Sequence, residues 1–65
     1  MASKLYRQVK TILTAHDCQF VRQGKGSHEI WHSPITDVNF SVPVTLKAKP
    51  TANAILKQAG INQRV

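Results

Sequence analysis

Gly24-Lys25-Gly26-Ser27-His28-Glu29-Ile30-Trp31 is the stretch that decides how this chain folds. Glycines on either side of a lysine make a tight turn, because glycine reaches positive φ without a Cβ clash. The segment before it, Cys18-Gln19-Phe20-Val21-Arg22-Gln23, is too short for a helix and reads as a strand. Ser27 to His32 reads as a second strand, so the turn closes a hairpin. Backbone amides converging in such a turn attract an anion. A histidine, the residue suited to proton transfer near neutral pH, stands at its edge. Phosphate binding beside a proton-transfer group is the chemistry this stretch suggests.

Beyond the hairpin, Ser33-Pro34-Ile35-Thr36-Asp37 reads as a connecting loop broken by Pro34. Val38, Phe40 and Val42 then alternate with Asn39 and Ser41, the pattern of a half-buried strand. Pro43 cannot donate to a ladder, so this strand ends there or lies on an edge. On the other side of the hairpin, Leu5, Val9, Ile12 and Leu13 follow the spacing of one helical face. Lys4, Arg7, Thr11 and Thr14 line the opposite side, and Ser3 suits the N-cap of a helix from Lys4 to Ala15. Lys4 and Arg7 have two readings, a solvated basic back or an RNA contact. After the third strand, Thr45 to Lys49 forms a basic loop leading to Pro50 at the first position of a second helix. Ala52, Ile55, Leu56 and Ala59 give that helix an apolar face, and Gly60 with Ile61 suits a Schellman ending. Asn62 to Val65 is expected to be a frayed tail.

The order helix, strand, strand, strand, helix predicts an α+β domain over residues 1–65. A three-stranded antiparallel sheet carries both helices on one face and leaves the other open. A chain of 65 residues buries only about 60% of its unfolded surface, which favours an open surface site over a deep pocket. Nine Lys and Arg against three acidic residues give a formal net charge of +6, which favours a polyanionic partner. No apolar run approaches the ~20 residues needed to span a bilayer. The N-terminal residues lead into a helix pattern and not into a signal segment. A lone Cys18 fits a reducing compartment, and a cytoplasmic location is expected.

His28 and His32 share a strand face but lie about 13 Å apart at ~3.3 Å per residue, too far to act on one phosphate. His16, Cys18, His28 and His32 lack the close paired spacings of a zinc site, so no metal is expected. His16 suits the last turn of the first helix. Alternation puts Glu29 and Trp31 opposite His28, Ile30 and His32. With Trp31 in the core, His28 faces the open side; with Ile30 there instead, Trp31 could stack on a base. The buried tryptophan is preferred, and in both cases Glu29 does not orient His28.

Gly26-Ser27-His28, preceded by Val21-Arg22-Gln23-Gly24-Lys25 and followed by Ile30-Trp31, resembles the signature of HicA toxins. Val42-Pro43 and the closing Ile55-Leu56-Lys57-Gln58-Ala59-Gly60-Ile61 resemble that family too, so the likeness spans Leu5 to Ile61. It implies a fold like that of double-stranded RNA-binding domains and a ribosome-independent mRNA interferase, a toxin neutralised by a HicB antitoxin. The family's catalytic histidine falls on His28. Many relatives carry a further histidine shortly after the proline of the third strand, where this chain has Val44 and Thr45.

The expectation is therefore a toxin that cleaves mRNA without a cofactor, with His28 as acid or base. The Lys25 side chain and the amides of Gly24, Lys25, Gly26 and Ser27 would stabilise the charge developing on phosphate. Arg22, Lys47 and Lys49 would add phosphate contacts that give affinity without sequence information, or else serve as a solubilising surface. The alternative is a non-catalytic module that holds RNA by its shape and backbone.

Overall fold

The computed structural model describes residues 2–65. Met1, which the expected domain includes, lies outside them. Helix α1 spans Lys4–Ala15, followed by strands β1 at Gln19–Gln23, β2 at His28–Ser33 and β3 at Val38–Pro43, then helix α2 at Lys49–Gln58. The strands form one antiparallel sheet in the order β1-β2-β3. This is the expected α+β arrangement, consistent with a double-stranded RNA-binding-domain-like fold.

Helix α1 begins where Ser3 caps it, its Oγ accepting from the Tyr6 N–H at 3.0 Å. That hydroxyl also donates to the Leu46 carbonyl at 2.6 Å, and the Ser3 N–H donates to the Val44 carbonyl at 3.0 Å. The first helix is thereby stitched to the loop that leaves β3. Its buried face is Tyr6, Val9 and Leu13, with Leu5 and Ile12 only half-buried.

Both helices end in Schellman geometry. In α2, Gly60 takes φ +80° while its N–H donates to the Lys57 carbonyl and that of Ile61 to the Leu56 carbonyl, each at 2.9 Å. In α1 the left-handed position belongs to Asp17 at φ +64°, and the Cys18 N–H returns to the Leu13 carbonyl at 2.9 Å. Short polar side chains tolerate that conformation better than most. Helix α2 starts one residue earlier than expected, at Lys49, with Pro50 in its first turn.

The core lies between the helices and one sheet face. Trp31, Phe40 and Val42 meet Tyr6, Val9 and Leu13 of α1 and Ala52, Ile55 and Leu56 of α2. Trp31 is 4% exposed, so the tryptophan and not Ile30 belongs to the core. The last residues fold back rather than splay: the Val65 N–H donates to Asn53 Oδ1 at 2.8 Å, and Val65 is partly buried against the core.

The hairpin contains an irregularity that the residues gave no sign of. Phe20 pairs with Trp31 and Arg22 with Ile30, so Val21 is an extra residue bulged out of β1. Regular alternation would put Phe20 and Arg22 on the same face. The bulge keeps Phe20 on the covered side, edge-to-face with Trp31 at 6.2 Å between ring centres, and moves Arg22 to the open side.

Candidate functional site

Trp31, Phe40 and Val42 face the helices, so their neighbours in each strand make up the open face. Across the three strands it presents Gln19, His32 and Asn39 in one row and Arg22, Ile30 and Ser41 in the next. His28 and Pro43 form the last pair, beside the glycine turn.

That turn is tightly tied. The Gly24 N–H donates to the His28 carbonyl at 2.8 Å, and the His28 N–H donates to the Lys25 carbonyl at 3.2 Å. The Gln23 Nε2 wraps across it, donating to the carbonyls of His28 at 3.0 Å and Gly26 at 3.3 Å. A Cβ on Gly24 would sit 3.0 Å from the His28 carbonyl oxygen and 3.2 Å from Ile30 Cδ1, and Gly26 takes φ +64°. The Ser27 carbonyl accepts from the Val44 N–H at 2.9 Å, fixing the turn to the chain just past β3.

His28 is thus held through its backbone while its side chain stays exposed. The Gly24 amide is committed to the hairpin. Among the described residues, the N–H groups of Lys25, Gly26 and Ser27 have no backbone partner and remain open to an anion. Lys25 is exposed in the turn itself, and Arg22 is exposed one pair further along the same face. Lys47 lies exposed in the loop that starts beside Ser27. Lys49 is placed elsewhere, lining a groove with Gln8, Thr11 and Ile12 of α1 and the final residues. The structure therefore gathers His28 with Gly24, Lys25, Gly26 and Ser27, with Arg22 close by, and sets Lys49 on the helical layer.

The remaining histidines are tied to other groups. His16 caps α1, its Nδ1 donating to the Ile12 carbonyl at 2.9 Å. His32 donates from Nδ1 to Asn39 Oδ1 at 2.7 Å, and its Nε2 lies 3.3 Å from Asp37 Oδ1. Among the described residues, no three His, Cys, Asp or Glu side chains come together as metal ligands would.

On the covered face, Glu29 accepts from the Tyr6 hydroxyl at 2.5 Å and from Trp31 Nε1 at 3.1 Å, both at Oε1. Burial, then the hydrogen bond to Glu29 and its charge, push the Tyr6 phenol up to about 12. Glu29 accordingly braces the back of β2 and does not touch His28. Sequence reasoning missed this brace, although Tyr6, Val9 and Leu13 follow helical spacing and could have revealed it. Burial also raises the Cys18 thiol, opposed by its hydrogen bond with Ser33 and reinforced by the charge of Asp17. A buried thiol of this kind is inert packing, not a nucleophile.

No helix among the described residues is long and apolar enough to cross a membrane. Comparison with curated proteins and with solved structures gave no match. A family model described as the HicA toxin of bacterial toxin-antitoxin systems matches residues 6–61, which takes in both helices' apolar faces, the whole sheet and the glycine turn. The chain belongs to the HicA toxin family.

Proposed function

We propose that this toxin is an endoribonuclease that cleaves mRNA, with His28 as its catalytic residue and no metal in the reaction. The observation that carries this reading is the exposed His28 imidazole beside the unpartnered amides of Lys25, Gly26 and Ser27. His28 takes the proton from a ribose 2′-hydroxyl, whose oxygen attacks the adjacent phosphorus. The three amides and Lys25 stabilise the negative charge that grows on the phosphate oxygens. The bond to the 5′ oxygen breaks, and solvent, which the open face admits, supplies that oxygen's proton. Arg22 holds a neighbouring phosphate, with Lys47 contributing affinity from the loop. Lys49 would act only on a strand that reaches around to the helical layer.

The partner that neutralises the toxin is a HicB-like antitoxin. A chain with nine basic and three acidic residues calls for an acidic complementary surface, which inhibits most simply by covering His28 and its basic rim. Acting on mRNA, the toxin works in the cytoplasm. End-group analysis tests the chemistry: attack by the 2′-hydroxyl leaves 2′,3′-cyclic phosphate and 5′-hydroxyl ends. Products with 5′-phosphate ends would exclude it.

A further inference from the structure

The open face is not uniform. At the His28 end it carries Arg22 and the lysine-bearing turn, the equipment for gripping phosphate. At the other end the row across the strands is Gln19, His32 and Asn39, two amides flanking an imidazole, with no lysine or arginine among them. Asp37 adds a carboxylate beside His32 Nε2, and its side chain is 91% exposed. A carboxylate repels phosphate, and amides pair with groups that both donate and accept. This end is built for a neutral ligand with a hydrogen-bonding edge.

Resting on the nuclease reading, we infer that Gln19, His32, Asn39 and Asp37 form a nucleobase subsite on the same RNA strand that His28 cleaves. His28 and His32 are four residues apart on β2, about 13 Å at ~3.3 Å per residue. A strand laid along β2 therefore brings a base flanking the cut within reach of this row. The net charge of +6 favours such an occupant. Ile30, half-buried between the rows, gives the strand an apolar floor. Trp31 and Phe40 are both spent in the core, so hydrogen-bonding groups carry the readout on this face.

The chemistry selects among bases. A carboxylate only accepts, so Asp37 requires a donor. Cytosine, adenine and guanine offer an exocyclic amino group; uracil's only edge donor is its N3–H, flanked on both sides by carbonyl oxygens that a carboxylate repels. His32, fixed through Nδ1 to Asn39 Oδ1 at 2.7 Å, sets the direction of the Asn39 amide and leaves its amino group to donate to a base. The subsite accepts an amino-bearing base and discriminates against uracil.

Fluorescence anisotropy with 2′-O-methyl oligo(C) and oligo(U) tests this, since the blocked 2′ oxygen prevents cleavage. The intact chain should prefer oligo(C) about 5- to 100-fold, the range of one good base contact. Asn39→Ala should bring the ratio toward parity. Asp37→Asn should do the same by giving uracil a donor, and asparagine tolerates the φ of +54° at this position. His28→Ala should leave the ratio intact. Equal binding of both oligomers by the intact chain, or a ratio unchanged in both subsite variants, overturns the inference. Cleavage of unmodified RNA is assayed separately. A preserved ratio without cleavage removes the nuclease reading and keeps the subsite; cleavage without a ratio does the reverse.

Discussion

The Tyr6 hydroxyl donates to Glu29 Oε1 at 2.5 Å, and Trp31 Nε1 donates to the same oxygen at 3.1 Å. One carboxylate oxygen thus ties α1 to the back of β2. With Glu29 and Trp31 held on the covered face, alternation leaves His28 no side but the open one. The orientation of the proposed catalytic group is set by a contact on the opposite face of its strand.

Tyr6 is the only tyrosine, so phenolate absorbance reports it alone. Its titration midpoint should lie at about 12, against 10.0 for a free phenol. Because the folded value is raised, the stability it contributes is complete below pH 10 and is lost as the pH climbs toward 12. Glu29→Ala should lower the midpoint, and Tyr6→Phe should remove this part of the alkaline loss of stability. A midpoint near 10 in the folded protein would show that the brace is absent.

Two left-handed glycines should respond differently to alanine. At Gly60, φ is +80° and a Cβ would meet Ile35 Cγ2 at 2.7 Å and Thr36 Cγ2 at 2.8 Å. At Gly26, φ is +64° but nothing lies within 4 Å. Gly26→Ala should cost roughly 1–2 kcal/mol from backbone conformation alone, and Gly60→Ala distinctly more. Urea unfolding followed by the single tryptophan measures both.

Ser33 is fully buried, and its Oγ donates to the Ala59 carbonyl at 2.6 Å while accepting from the Ile35 N–H at 3.2 Å. Ser33→Ala should destabilise the fold by about 1–3 kcal/mol, because a buried carbonyl loses its partner. The same unfolding assay decides; a change within a few tenths of a kcal/mol would mean water replaces the hydroxyl.

Much of this architecture was legible in the residues, for physical reasons that can be named. Ser3 and the periodic apolar residues placed α1, Gly60 and Ile61 placed the end of α2, and the alternation of Val38, Phe40 and Val42 placed β3. Each of these signals is local. The Val21 bulge that turns Arg22 outward depends on how β1 registers against β2, and no residue type announces it. Asp17 ended α1 without the glycine that usually marks such a stop. The glycine turn and His28 stood out as a candidate site from their chemistry. Lys49 did not sort from Lys47 because the path of the loop after Leu46 is fixed by Ser3, more than forty positions earlier in the chain.

Arg22→Ala and Lys25→Ala should each weaken RNA binding similarly across sequences and reduce its salt dependence, since phosphate contacts carry no base information. Lys49→Ala should have the smaller effect on a short oligonucleotide confined to the open face. Anisotropy titrations at several salt concentrations check this, and a loss at Lys49 equal to that at Lys25 would place the RNA on the helical layer instead.

The most direct test of the central claim is cleavage of a labelled single-stranded RNA in EDTA by the intact protein and by His28→Ala, the variant's fold being verified by circular dichroism. Cleavage by the intact protein, abolished in the folded variant, is the predicted result. Equal cleavage by both, or binding without cleavage by the intact protein, would contradict it.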